Sequence, residues 1–224
     1  MISVMPQDSQ TGFFVSFEGS EGCGKSTQIR LLVESLFAAG NTPVVVREPG
    51  GTSIGETIRH LLQHSVEGRA MTPETELLLF AASRAQLVRQ EILPALQAGR
   101  IVISDRFLDS TTIYQGVARN IAPEIVESVN RFAAGPRLPD ITFLLDMDSA
   151  EACQRLAGRS KEKRDRMEEL PSAFYEAVRR GYLELAARER DRIRLLDATK
   201  SESQIASEIR AALRSHAIFK GIGF

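Results

Sequence analysis

The stretch Gly19–Thr27, GSEGCGKST, constrains this chain more than any other part of it. It stands between an apolar run, FFVSFE, and an amphipathic stretch, QIRLLVESLF. Gly19, Gly24, Lys25 and Ser26 satisfy G-x-x-x-x-G-K-[ST], a phosphate cradle that works only between a strand and a helix. At ordinary glycine usage a chance match in a chain this long is on the order of one per cent. Its glycines let backbone N–H groups wrap a polyphosphate, and the following helix N-terminus adds a favourable dipole. Lys25 is expected to reach the β- and γ-phosphates, and the Ser26 hydroxyl to bind Mg²⁺. A cradle alone establishes nucleotide binding and leaves switch, motor and group transfer open.

The rest of the chain fits a parallel α/β sheet. Phe13–Glu18, Thr42–Glu48, Arg100–Asp105, Ile141–Asp146 and Arg192–Asp197 read as five strands. The middle three are apolar on both faces, the pattern of buried parallel strands. Helices are expected at Ser26–Gly40, Thr72–Leu93, Glu124–Gly135, Ala150–Arg159, Pro171–Glu189 and Ser201–His216. Thr72 and Pro73 form a cap and first-position pair, and Gly40 a C-terminal stop. Strands alternating with helices imply a P-loop NTPase-type three-layer sandwich, a five-stranded parallel sheet flanked by helices. With 224 residues, 43% hydrophobic and 25% charged, one large domain over 13–224 is expected, after a flexible extension over 1–12. A net charge of −1 gives no broad nucleic-acid surface. No apolar run is long enough for a membrane span, and the N-terminus lacks a signal pattern. Two cysteines, Cys23 and Cys153, make no metal spacing and suit a reduced, cytoplasmic chain.

Four further stretches carry chemistry. ISDRFLDSTTIYQG, Ile103–Gly116, begins at the C-terminal end of a buried strand, where open α/β sheets place ligands. Asp105 there can hold a metal through water or orient an acceptor oxygen, and Arg106 can grip a phosphate with two N–H groups. A mutual ion pair capping the strand is the structural alternative for both. EPGGT, Glu48–Thr52, marks a tight turn that can approach a ligand. Phe80 and Arg84 share a helix face, so one can stack on a base while the other donates to its carbonyl. From spacing alone, Phe80 in the core and a solvated Arg84 is the better reading. The basic segment Arg155–Glu169 interrupts the last crossover and reads either as a lid over phosphates or as a solvated helix end.

Together these stretches resemble the thymidylate kinase family over nearly the whole chain. EGSEGCGKST, REPGGT, FAASRAQ, DRFLDSTTIYQG, DRMEE and LLDAT stand in the family's order and spacing, with Ile113 larger than usual and a slightly longer lid. The resemblance implies transfer of a phosphoryl group from ATP, with Mg²⁺, to dTMP, in dTTP biosynthesis. ATP would lie on Gly19, Ser20, Glu21, Gly22, Cys23, Gly24, Lys25, Ser26 and Thr27, with Ser26 and Asp105 toward the metal. Phe80 would stack on thymine, Arg84 would bond its carbonyl, and Thr111 and Gln115 would lie near the base. Tyr114 would crowd the sugar's 2′ position, and Glu21 would meet its 3′-hydroxyl. Arg106, with Arg47 nearby, would hold the acceptor phosphate, and Glu48 would be among the substrate-binding residues. Gly22 stands where some members carry a cradle arginine, so Arg155, Arg159 or Arg166 would act from a lid over about 155–170, the bacterial arrangement. The turn Leu195–Thr199 would meet adenine. A homodimer is implied too. Another P-loop nucleotide or deoxynucleoside kinase, or a switch without transfer, are the competing readings.

Overall fold

The computed structural model describes residues 12–157, 166–167, 170–220 and 222–223. Five parallel strands form one sheet: β1 (Phe13–Glu18), β2 (Val44–Arg47), β3 (Ile101–Asp105), β4 (Ile141–Asp146) and β5 (Ile193–Asp197). Their spatial order is β2-β3-β1-β4-β5. The cradle strand β1 is therefore central, pairing Phe17 with Asp105 on one side and with Phe143 on the other. All six of its residues are buried. β2 departs from the expectation of a strand buried on both faces. It is an edge strand, and Val45 is 49% exposed because no neighbour covers that side. β-branched composition favours a strand without saying where in a sheet it lies.

Alternate side chains of β1 feed two cores, as a two-residue repeat requires. Phe13, Val15 and Phe17 pack with Ile103, Phe143 and Leu145 under α1 (Lys25–Ala38) and the C-terminal helix. Phe14 packs on the other face with Val102, Phe107, Leu87 and Ile92. Each large apolar side chain so buried contributes roughly 1.5–3 kcal/mol.

Between the strands run α2 (Ser53–Gln63), α3 (Pro73–Leu87), α4 (Leu93–Gln97), α5 (Leu108–Thr111), α6 (Pro123–Ala134), α7 (Ser149–Ala157), α8 (Ser172–Arg188) and α9 (Glu202–Arg214). Three differ from the sequence reading. α2 is an additional helix, capped by the Thr52 hydroxyl accepting from Gly55 N–H. The helix read as Thr72–Leu93 continues to Gln97, passing Pro94 through a π-helical turn over Val88–Ile92. Proline cannot donate to the preceding turn, and a wider turn is one way to absorb that loss. The DRFLDSTTIYQG stretch is α5 running into a second π-helical segment, Thr112–Ala118. α9 opens with a capping box between Ser201 and Gln204. Among the described residues no helix is long and apolar enough to cross a membrane.

Candidate active site

The cradle turns out of β1 through Gly19, Gly22 and Gly24, with φ of 132°, 79° and 95°. Gly19 is fixed twice over: its φ disfavours a side chain, and a Cβ there would sit 2.4 Å from the Leu145 carbonyl oxygen. Lys25 is buried and donates through Nζ to the Gly19 and Ser20 carbonyls, at 3.0 and 2.9 Å, curled across the loop. Cys23 is a free, buried thiol beneath it.

Because β3 lies next to β1, its C-terminal end delivers Asp105 and Arg106 to the cradle. Ser26 Oγ stands 3.4 Å from Asp105 Oδ2. Arg106 takes φ 70°, a left-handed backbone uncommon for a side chain this large. Three contacts hold it there: its N–H donates to Phe17 O, its carbonyl accepts from Ser104 Oγ, and Phe107 N–H donates to the buried Glu18 carboxylate at 2.7 Å. Its guanidinium reaches Glu21 at 2.5 Å and Ser110 Oγ at 3.0 Å, and lies 5.2 Å from the Tyr114 ring centre. The structural alternative of an Asp105–Arg106 pair is thus not what forms: the described partner of Arg106 is Glu21. Burial works against ionising Glu21, but Arg106 and Lys25 outweigh it and hold the carboxyl down at about 2.

Glu18 has the opposite balance. Burial, helped by Asp109, raises its carboxyl to about 7 against the pull of Arg106, Ser110 and Tyr182. Ser110 and Tyr182 hydroxyls both reach its Oε2, at 2.6 and 2.7 Å. Sequence reading took Glu18 as the last residue of a strand. A carboxylate at the C-terminal end of a central strand was the available signal.

The GG turn after β2 is tied down by side chains. Gly50 N–H donates to Ser83 Oγ and Gly51 N–H to Glu56, which also pairs with Arg47 at 2.9 Å. Arg59, on the unforeseen α2, donates to the Pro49 carbonyl at 2.8 Å and adds a second cation beside Arg47.

A cleft of about 210 Å³ joins these parts. Glu21, Ser26, Asp105 and Arg106 line one part of its wall; Phe80, Arg84, Thr111, Tyr114 and Gln115 line another; Arg47, Glu48 and Arg59 complete it. Gln63 also lines it, as do Ser110 and Met167, which lie within the DRFLDSTTIYQG and DRMEE stretches without having been singled out as site residues. Arg84 is neither solvated nor loose. It is 1% exposed, with Nη2 2.7 Å from Glu48, Nη1 2.8 Å from Asn130 Oδ1 and Nη2 2.7 Å from Thr111 Oγ1. One Nη1 hydrogen remains without a described partner. Burial raises the Glu48 carboxyl although Arg84 opposes it. Tyr114 Oη and Glu48 Oε1 are buried without a well-formed hydrogen bond, unusual for native polar atoms away from a binding site.

Of the arginines expected to act from the lid, Arg159 lies outside the described residues. Arg155 donates to the Ala198 carbonyl, in the turn expected to meet adenine, and pairs with Glu151. Arg166 donates through its backbone to Gln63 O, through Nε to Leu62 O and through Nη2 to Glu76, at 3.1, 2.9 and 2.6 Å.

Glu21 and Ser26 of the cradle thus share one cleft with Arg47, Arg59, Arg84 and Arg106. The profile of the family described as thymidylate kinase matches residues 17–209. The chain belongs to the thymidylate kinase family. Thymidylate kinase from Bifidobacterium longum subsp. infantis is 46% identical over 92% of this chain and 87% of its own. That of Desulfosudis oleivorans is 48% identical, over 89% and 95%. The crystal structure of thymidylate kinase from Ehrlichia chaffeensis superposes with a TM-score of 0.72 at 32% identity, covering 91% of this chain and 98% of that one. Within a thymidylate kinase, the five-stranded parallel sheet and its flanking helices are the P-loop NTPase fold that the cradle implied.

Proposed function

We propose that this chain works as a thymidylate kinase with its cradle as the donor site and the Phe80–Gln115 pocket as the acceptor site. The reaction is transfer of the terminal phosphoryl group of ATP to dTMP, giving dTDP and ADP, in the supply of dTTP. What carries the assignment is one shared cleft: Glu21 and Ser26 of the cradle line it together with Arg106, Phe80 and Gln115.

On this reading the backbone N–H groups of Gly19–Thr27 and the Lys25 ammonium hold the ATP phosphates. Phe80 stacks on the thymine, and the remaining Arg84 N–H donates to its carbonyl. Thr111 and Gln115 bound the base, and Tyr114 bounds the sugar. Arg106 binds the acceptor phosphate, with Arg47 and Arg59 beside it. Its hold on Glu21 gives way or is shared as that phosphate enters, leaving Glu21 available to the sugar 3′-hydroxyl.

Ser26 Oγ and the Asp105 carboxylate are hard oxygen donors close enough to share one cation, which suits Mg²⁺. That ion, when bound with ATP, neutralises phosphate charge. Two protein oxygens leave most of its ligand sphere to phosphates and water. The acceptor needs no strong base, since a phosphate monoester with a second pKa of about 6 is already ionised at neutral pH. The protein's task is to bring two anions into line and cancel their repulsion, which falls to Lys25, Arg106 and a lid arginine, Arg155 or Arg159, since Arg166 is engaged by Glu76.

The protein acts in the cytoplasm, in keeping with its unbridged Cys23 thiol. It acts as a homodimer, for which α3 and α6 offer the exposed apolar side chains Leu78, Ile125 and Phe132. A panel of nucleosides and nucleoside monophosphates with ATP and Mg²⁺, read for product identity, tests the activity. dTDP and ADP in equal amounts are expected, and a product made from a nucleoside in preference to dTMP would sink the assignment.

A further inference from the structure

Glu76 sits in the first turn of α3, where an acidic residue normally serves the helix dipole from solvent. It does not do so here, for it is 1% exposed. Its Oε1 accepts from Gln115 Nε2 at 2.9 Å and from Arg119 Nε at 3.2 Å. Its Oε2 accepts from Arg119 Nη2 at 3.3 Å and from Arg166 Nη2 at 2.6 Å. Burial opposes ionisation, but these donors together hold the carboxyl below the usual range, so it is a carboxylate at neutral pH.

An ionised carboxylate has no proton to give and can only accept. The two ends of a glutamine amide differ in the opposite sense: the nitrogen donates and the oxygen accepts. A carboxylate beside Gln115 therefore claims the nitrogen. Gln115 Oε1, which has no donor among the described residues, is the atom left to the cleft that Gln115 lines. We infer that Glu76 is a positioning residue that determines which base edge the acceptor pocket reads, by fixing the Gln115 amide with its oxygen toward the base. An acceptor at that place matches the N3–H of thymine or uracil and opposes the unprotonated N3 of cytosine. The same carboxylate grips Arg166, which also bonds the Leu62 and Gln63 carbonyls, so Arg166 and Gln115 share one anchor.

The inference rests on the assignment of this pocket to the acceptor base. Its test is Glu76→Gln, which keeps the shape but can both donate and accept, so that the Gln115 amide loses its fixed sense. Turnover of dTMP, dUMP and dCMP is measured for wild type and variant, with KM for ATP and the melting temperature alongside. Expected is an increase in KM for dTMP of about tenfold with little change in KM for ATP, and a tenfold narrowing of the dTMP-to-dCMP preference in kcat/KM. Glu76→Asp, still only an acceptor, should recover most of the preference. Because Glu76→Gln could fail to fold, Gln115→Leu is measured in parallel and should narrow the preference to a similar degree. The double variant should do no worse than either single one. An unchanged dTMP-to-dCMP preference in folded Glu76→Gln, or in Gln115→Leu, overturns the inference while leaving the kinase activity intact. Absence of dTMP turnover in the wild type would instead overturn the assignment beneath it.

Discussion

Arg106 concentrates the chemistry of this site into one side chain. Its left-handed backbone is held by β1, Ser104 and Glu18, and its guanidinium faces Glu21 across the cleft. Removing it should cost turnover more than binding. Arg106→Ala is expected to lower kcat/KM for dTMP by 100-fold or more, roughly 3 kcal/mol of transition-state stabilisation. Steady-state kinetics with saturating ATP checks this, and near-normal turnover would remove Arg106 from the mechanism. Glu18 gives a pH prediction. Its carboxyl titrates near 7 in the folded protein, against a model-compound value of 4.5. Between those values the native protein holds a proton that the unfolded chain releases. Stability from this group is therefore full below about pH 4.5 and is lost as pH rises through 7. Glu18→Gln does not titrate, so its stability relative to wild type should improve from pH 4.5 to 7.5 by up to about 3 kcal/mol. Urea unfolding at several pH values measures the gap, and a gap independent of pH contradicts it. Arg106 was legible as a candidate phosphate ligand, whereas Glu18 carried only the signal of a carboxylate at a strand end, which does not show that it braces the next loop.

At the scale of elements, the π-helical segment Thr112–Ala118 and α8 form a unit. Tyr114 and Gln115 stand on the first, and α8 approaches it closely through Gly181. A Cβ at Gly181 would lie 3.2 Å from Val117 and 3.3 Å from Ile113. Glycine within a helix costs about 1 kcal/mol against alanine, so its presence reflects this approach rather than propensity. Gly181→Val should push the two elements apart, lowering stability by about 1–3 kcal/mol and raising KM for dTMP more than KM for ATP. Thermal unfolding and initial-rate kinetics check the two parts. A variant as stable as wild type would mean the contact has slack. The amphipathic α2 follows the GG turn directly, and a short helix whose polar face points to solvent leaves a weak sequence trace, so Arg59 on it carried no signal either. On α3 the sequence does carry a signal: Glu76, Phe80 and Arg84 follow at intervals of four and so share one face. An acid in a first helical turn has an adequate explanation in the helix dipole, and that explanation hid its burial.

For the whole molecule, the exposed Leu78, Ile125 and Phe132 on α3 and α6 carry the prediction of a homodimer. Light scattering should give twice the 24.7 kDa of one chain, and a monomer mass at micromolar concentration would refute it. What the sequence determined by itself was local. Five strand positions, the cradle with its glycines and lysine, and the capped starts of α3 and α9 all follow from short-range sterics and periodicity, which act within a few residues along the chain. What only the tertiary structure decided was partnership. The order β2-β3-β1-β4-β5 placed β2 at an edge and set Asp105 beside Ser26, 79 residues away. Packing joined Glu48 to Arg84 and Glu76 to Arg166, giving each buried carboxylate a guanidinium partner. The physical reason is that a charge far along the chain leaves no periodic trace, and its partner is fixed only when packed elements exclude water and leave one neighbour within reach.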